Sequence, residues 1–244
     1  MKSRSLRSAL MLLLCVLLCI ALNAAAFLID TDTMRQNAAQ GTLMIAQEGA
    51  SPQLVGGFKS AQLDNYTAAL ILKTAAYTGP ESLLQKAFGG LRTDLPPAEG
   101  QSAWDAFCTY GSGNGLSYSR YWHGYTFPLR LLLCVLNTAN IEMLLLFVSL
   151  ALACAVASAC FARAPAALPG LAIAWFLLMP PAVGICLQYA PLTLLALGAC
   201  LAVLLLDARI ERAVGMPAFF ALTGLLTNYF DLLTFPLVSL GFPL

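Results

Sequence analysis

Aspartates beside apolar stretches are the first residues in this chain that could do chemistry. Asp30 and Asp32 directly follow an apolar run over residues 9–29, Asp64 lies in a long polar segment, and Asp231 falls between two later apolar runs. Carboxylates that converge at a membrane surface can act as a general base on a hydroxyl or hold a divalent metal ion. The pattern predicts Asp30 and Asp32 as catalytic and the other two as substrate-binding. It assigns no metal ligand, and each aspartate also suits a solvated helix end.

A second candidate group lies in the run Tyr118–Arg130, which combines aromatic rings, two arginines and the only histidine of the chain. A guanidinium group suits phosphate because its planar fork donates two hydrogen bonds at once. In a functional interpretation Arg120 and His123 bind a phosphate or headgroup, while Trp122 and Tyr125 line a sugar or lipid site. An aromatic belt at the membrane interface explains the same residues without a ligand.

The composition places these residues in a membrane protein. Hydrophobic residues make up 59% of the chain, the mean hydropathy is +0.77, and only 10% of residues are charged, against roughly 25% in soluble domains. Apolar runs of about 20 residues match the ~30 Å hydrocarbon core of a bilayer. A net charge of +1 offers no basic surface for nucleic acid. We therefore predict an all-α integral membrane protein with membrane lipid, and no nucleic acid, as partner.

Charge placement predicts the topology. Lys2, Arg4 and Arg7 precede the first apolar run and hold its start in the cytoplasm by the positive-inside rule. The chain then divides into an N-terminal transmembrane helix (1–29), an extracytoplasmic loop with interfacial helices (30–140) and a multi-span region (141–244) of the plasma membrane. A cleavable signal peptide is the alternative for the first run, because Ala24-Ala-Ala26 follows an apolar core. The loop is extracytoplasmic in either case.

The loop is predicted to hold short helices and no strands. Ser60 is a candidate cap for one helix, Pro80 starts another that ends at Phe88, and residues 98–110 hold a third. Residues 129–136 are too short to cross a bilayer and predict an interfacial helix from which Arg130 extends toward headgroups.

Five to six transmembrane or partial spans follow from the apolar runs. After the first run, full spans are predicted over 142–161, 168–187 and 192–206, with a break at Pro180-Pro181 and a charged loop over 207–212. Shorter runs begin near residue 216 and cover 232–244. The last is short for a span, so it is either a re-entrant or interfacial piece or, as we favour, a sign that the chain is the front of a longer protein. Seven of the eight cysteines lie in apolar runs without ligand spacing, so packing explains them.

The layout resembles the front of a multi-spanning glycosyltransferase of the GT-C superfamily. The resemblance rests on the large first extracytoplasmic loop with interfacial helices and on Asp30-Thr-Asp32 after the first span. The runs Leu63–Leu70, Tyr118–Tyr125 and Asn228–Leu237 also resemble segments of uncharacterised bacterial polytopic proteins. It implies sugar transfer from a polyprenyl-phosphate-linked donor in cell-envelope glycan assembly. Asp30 or Asp32 would then be the general base or the acid that binds a divalent metal ion. Enzymes of that superfamily are usually much longer than this chain.

A non-enzymatic membrane scaffold or a transporter subunit is the competing interpretation. A scaffold would use the polar loop as a docking surface for protein partners that the sequence does not specify. Convergence of the candidate aspartates and Arg120 on one outer pocket favours the enzyme, and their scatter over separate surfaces favours the scaffold.

Overall fold

The computed structural model describes residues 2–111 and 115–230, and all its regular elements there are helical. The α-helices are α1 (Lys2–Ala26), α2 (Asp32–Glu48), α3 (Asn65–Ala75), α4 (Leu83–Gly89), α5 (Ala103–Cys108), α6 (Thr126–Leu133), α7 (Thr138–Arg163), α8 (Leu168–Leu178), α9 (Pro180–Ile185), α10 (Ala190–Ala213) and α11 (Met216–Phe230). This confirms the predicted helical class. The predicted site residue Asp231 and the run 232–244 lie outside the described residues.

Three helices are long and apolar enough to cross a membrane. They are the Leu6–Ala26 part of α1, with 21 residues, α7, with 26, and α10, with 24. At 1.5 Å per residue these helices are about 30–40 Å long, which matches the ~30 Å hydrocarbon core. α8 and α11 are shorter, with 11 and 15 residues. The count of five to six spans and their orientation stay predictions.

Two boundaries in the membrane region show what ends or continues a helix. The predicted 168–187 span is interrupted, because Met179 adopts a left-handed conformation (φ 45°) between α8 and α9, where Pro180 and Pro181 begin a new helix. The predicted loop over 207–212 is wrong: α10 continues through it to Ala213. Residues 207–212 include good helix formers, and the Nε of Arg212 donates to the carbonyl of Ala208 inside the helix.

Caps decide where the loop helices begin. α2 was not predicted; the side chain of Thr31 accepts a hydrogen bond from the Met34 amide and starts it. The predicted Ser60 cap is wrong, because Asp64 caps α3 by accepting a 3.0 Å hydrogen bond from the Thr67 amide. The helix expected from Pro80 begins instead after Ser82, which forms a reciprocal capping box with Gln85.

Arg130 lies at the centre of the loop region, and its side chain does not extend toward headgroups as predicted. The residue is only 1% exposed. Its Nε and Nη2 donate to the Ile29 carbonyl at 2.9 and 2.5 Å, and its Nη1 donates to the carbonyls of Ala75 at 2.5 Å and Tyr77 at 3.3 Å. The ring of Phe27 lies 4.8 Å from the guanidinium. One buried cation therefore joins α6 to the chain just after α1 and to the end of α3.

Helix electrostatics explain how this cation is accommodated. Burial lowers the pKa of Arg130 to about 10, and the nearby Asp30 carboxylate opposes that shift. The accepting carbonyls lie at or just beyond the C-terminal ends of α1 and α3, where the helix dipole is negative and the last carbonyls have no partner within the helix. Desolvation of the guanidinium is thus offset by several charge-assisted hydrogen bonds.

The core of the loop region extends into the beginning of α7. It packs α2, α3 and α6 together through residues that include Met34, Ile71, Leu133 and Ile141. A second cluster joins α7 to α10 around Val156 and Leu197. The loop helices and the start of α7 therefore share one core.

Replacing Arg130 with Gln is expected to lower the free energy of unfolding by roughly 3 kcal/mol or more, because the buried carbonyl acceptors lose charge-assisted donors. Chemical unfolding in detergent micelles measures this. The matched control is Arg212→Gln, which alters an exposed arginine on α10 and should cost less than about 1 kcal/mol. Equal stability of the two variants would contradict the role given to Arg130.

Candidate functional site

An apolar cavity of about 310 Å³ lies where the loop helices meet the first turns of α7 and α10. Its wall comes from five helices, the residue before α6 and the turn before α10. It consists of Ile71, Tyr125, Pro128, Leu129, Leu132, Ile141, Leu145, Leu187, Pro191, Leu194, Leu195 and Phe230. The only polar side-chain group among them is the Tyr125 hydroxyl. A hydrocarbon chain is the ligand chemistry that such a wall matches.

A smaller polar cavity of about 140 Å³ lies beside it, lined by Tyr66, Thr67, Leu70, Arg92, Tyr118, Tyr121 and Gln188. Both cavities reach the same two places in the chain, where consecutive residues line one cavity each. Leu70 lines the polar one and Ile71 the apolar one, and Gln188 and Leu187 divide in the same way. A polar space next to an apolar one at the start of membrane-spanning helices suits an amphipathic molecule.

His123 organises the aromatic loop from within. It is 3% exposed, its Nε2 lies 2.7 Å from the Tyr118 carbonyl, and its Nδ1 lies 2.9 Å from the Tyr125 hydroxyl. A carbonyl only accepts, so Nε2 carries the proton and Nδ1 accepts from Tyr125 in the neutral ring. Burial lowers the pKa of His123. Both ring nitrogens are therefore engaged within the loop, and the predicted phosphate-binding role of His123 stays a prediction that this geometry does not favour.

Close packing around His123 requires glycine at two positions. Gly90 has a φ of 52°, and a Cβ there would lie 2.1 Å from the His123 Nε2. A Cβ on Gly124 would lie 2.4 Å from the Tyr229 ring. His123 itself has a φ of 54°, which is uncommon for a residue with a side chain. Its two hydrogen bonds hold this conformation in place.

A buried polar network ties the loop to α1 and α11. The Asn23 amide donates a 2.6 Å hydrogen bond to the Trp122 carbonyl, and the Tyr229 hydroxyl donates to the Asn23 Oδ1 at 2.7 Å. The Gly124 amide donates to the Tyr229 carbonyl at 3.0 Å. The Trp122 ring meets the Tyr229 ring edge to face. Trp122, predicted to line a ligand site, therefore packs against α11, whereas Tyr125 does line the apolar cavity.

Arg120 and Arg92 flank the tyrosines of the polar cavity. Arg120 is exposed, and its guanidinium lies 5.6 Å from the Tyr121 ring. Arg92 is more buried, and its guanidinium lies 5.7 Å from the Tyr118 ring. The sequence pattern predicts Arg120 as a binding residue and does not indicate Arg92. Arg92 lies outside the aromatic run, and nothing within four residues of it in the chain marks a ligand site.

Asp30 and Asp32 lie at the exposed junction of α1 and α2. Both carboxylates bind the guanidinium of Arg35. α6 separates them from the apolar cavity: Arg130, near Asp30, lies on the face opposite Pro128, Leu129 and Leu132 by helical periodicity. The predicted catalytic pair is therefore accessible but lies on the other side of α6 from the apolar cavity.

Asp64 lies far from that pair. Its carboxylate accepts hydrogen bonds from the Thr67 amide and hydroxyl at the start of α3, whereas Asp30 lies near Arg130 at the end of the same helix. Eleven residues of helix separate these ends by about 16 Å. The described candidates do not converge on one pocket.

The described residues do not fit a resident divalent metal ion. No group of three or more His, Cys, Asp or Glu side chains capable of holding a metal occurs among them. An ion at Asp30 and Asp32 would have to displace Arg35, a cation already bound to both carboxylates.

Comparison with family models, curated proteins and solved structures finds no match to this chain.

The single histidine makes the loop directly testable by NMR. Nitrogen-15 spectra should show the neutral Nε2–H form of His123 at pH 7 and a titration midpoint below the ordinary value of 6.5. Because the unfolded state takes up the proton first, stability should fall as the pH drops below about 6.5. A midpoint at or above 6.5, or the Nδ1–H form, would contradict this arrangement.

Proposed function

We propose that this chain is a membrane protein that binds the hydrocarbon chain of an amphipathic lipid in the apolar cavity. The cavity is the observation that carries the proposal. It lies at one end of two candidate spans, its wall is almost entirely apolar, and a polar cavity adjoins it. A lipid bound there would have its hydrocarbon chain in the apolar cavity and its polar end at the loop.

The more specific proposal is the one implied by the resemblance to the GT-C superfamily: transfer of sugar from a polyprenyl-phosphate-linked donor in a bacterial cell envelope. It is supported by an apolar cavity suited to an isoprenoid chain and by the exposure of Asp30 and Asp32. In this proposal the loop faces the outside of the plasma membrane, and one of the two carboxylates accepts the proton of the acceptor hydroxyl. Transfer would require the anomeric carbon of the donor to reach the side of α6 where Asp30 and Asp32 lie. There the acceptor oxygen would bond to that carbon as its bond to the polyprenyl phosphate breaks, and the carboxylate would take the hydroxyl proton.

The alternative is a non-enzymatic membrane scaffold or transporter subunit. The separation of Asp30 and Asp32 from Asp64 along α3, and the engagement of each in local contacts, favours it. Lipid binding in the cavity is compatible with either alternative.

Leu145→Trp should block the cavity, because Leu145 forms part of its wall and the indole would occupy the space of a lipid chain. Binding of farnesol to the protein in detergent should weaken about tenfold or more, equivalent to ~1.4 kcal/mol. Leu144→Trp is the matched control, since the neighbouring Leu144 is exposed on the same helix. Equal binding by both variants would exclude the cavity as the lipid site.

The Asp30→Asn, Asp32→Asn double variant tests the transferase proposal. If one carboxylate is the general base, cell-envelope glycan made by the variant should fall at least 100-fold, the lower end of a general base contribution. Glu99→Gln, which changes an exposed loop carboxylate, should leave the glycan unchanged. Normal glycan from a correctly inserted double variant would reject the transferase proposal and leave the scaffold.

A further inference from the structure

The polar cavity has a cationic group whose outer donors are free. Arg92 binds Asp94 only through its Nε, at 3.2 and 3.0 Å. Its two terminal nitrogens make no hydrogen bond within the part of the chain that the structure describes. A guanidinium has five N–H donors, so this arrangement leaves the outer edge of the fork for another acceptor.

The backbone and neighbours of Arg92 fix its position. Its amide and carbonyl exchange hydrogen bonds of 3.2 and 2.7 Å with Leu116, which forms an antiparallel bridge. Its guanidinium lies over the Tyr118 ring, and its side chain is 16% exposed. A fork that is held on one edge by a carboxylate and on one face by a ring loses little freedom when it binds a ligand.

Arg92 belongs to a cluster with Lys73 and Asp94 that carries one net positive charge. Asp94 is shared, because its Oδ1 also accepts a 2.8 Å hydrogen bond from the buried Lys73. Two cations thus share one carboxylate. The carboxylate of Asp64, next to Thr67 of the cavity wall, accepts hydrogen bonds from the Thr67 amide and hydroxyl, which satisfy its oxygens but add no positive charge.

We propose that the polar cavity is a binding site for a phosphate group, held by the outer nitrogens of Arg92 beside the paired rings of Tyr118 and Tyr121. A phosphate oxygen pair matches the guanidinium fork. The cavity volume of about 140 Å³ is several times the ~30 Å³ that one water occupies in the liquid. The phosphate comes from a lipid headgroup or from a free phosphate compound, and only the lipid source rests on the proposed function.

Three probes separate the two sources: farnesol, farnesyl phosphate and inorganic phosphate. Binding of each to the full chain in detergent is measured for the unaltered protein, Arg92→Gln, Arg92→Lys and Arg163→Gln. Arg163 is exposed at the end of α7 and is the matched control. The unaltered protein and Arg163→Gln should bind farnesyl phosphate at least tenfold more tightly than farnesol.

Arg92→Gln should lose this preference while it binds farnesol as before, which also shows that it is folded. Arg92→Lys keeps the charge but not the fork, so it should retain only part of the preference. An undiminished preference in either variant would overturn the phosphate site. If Arg92→Gln does not fold, Arg92→Lys alone serves as the test: a reduced preference for farnesyl phosphate supports the phosphate site and an undiminished one overturns it.

Inorganic phosphate distinguishes failure of this inference from failure of the lipid proposal. If farnesol does not bind the unaltered protein, the lipid proposal fails. The phosphate site would still be supported in that case if inorganic phosphate binds the unaltered protein and binds Arg92→Gln at least tenfold more weakly. Absence of any phosphate effect on the unaltered protein, with either probe, would reject it.

Discussion

The buried guanidinium of Arg130 is the interaction on which the arrangement of the loop helices depends. It joins the carbonyl of Ile29 after α1 to those of Ala75 and Tyr77 at the end of α3. Burial of the guanidinium would be unfavourable without these acceptors, because the cation loses its water. The acceptors lie at helix C-termini, where the helix dipole is negative and favours a cation. The consequence reaches the candidate site, because the opposite face of α6 carries Pro128, Leu129 and Leu132 of the apolar cavity. The ion that anchors α6 therefore also fixes a wall of that cavity.

The aromatic loop provides the second constraint. His123 holds its own segment through Tyr118 and Tyr125, and Asn23 and Tyr229 join that segment to α1 and α11. The tyrosines of one short loop are thereby divided between two cavities, with Tyr118 and Tyr121 in the polar one and Tyr125 in the apolar one. These tyrosines resemble a single ligand-binding cluster in the sequence, but in the structure they line two separate cavities. This division gives the loop a role in binding without requiring His123 itself to touch a ligand.

Local signals in the sequence predicted the helical class and most helix locations, whereas the site depended on long-range contacts. The break at Pro180-Pro181 and the short helix near residue 130 follow from backbone chemistry and run length. The burial of Arg130 does not, because a basic residue at an interface usually extends to water, and its acceptors are 53 to 101 residues away in the chain. Arg92 was missed for the same reason, since its cavity also needs Tyr66, Tyr118 and Gln188. α2 was missed because its apolar residues form no strong stripe, and its start depends on the cap at Thr31.

Photo-crosslinking tests the central claim, that an amphipathic lipid occupies the apolar cavity, most directly. A farnesyl phosphate analogue with a diazirine at the end of its chain would be bound to the purified protein, activated by light, and its attachment sites mapped by mass spectrometry. The account predicts labels on α6 and on the first turns of α7 and α10, reduced by an excess of unlabelled farnesyl phosphate. Labels confined to exposed apolar surfaces such as Ile173 and Phe176 of α8, and insensitive to that competitor, would contradict it.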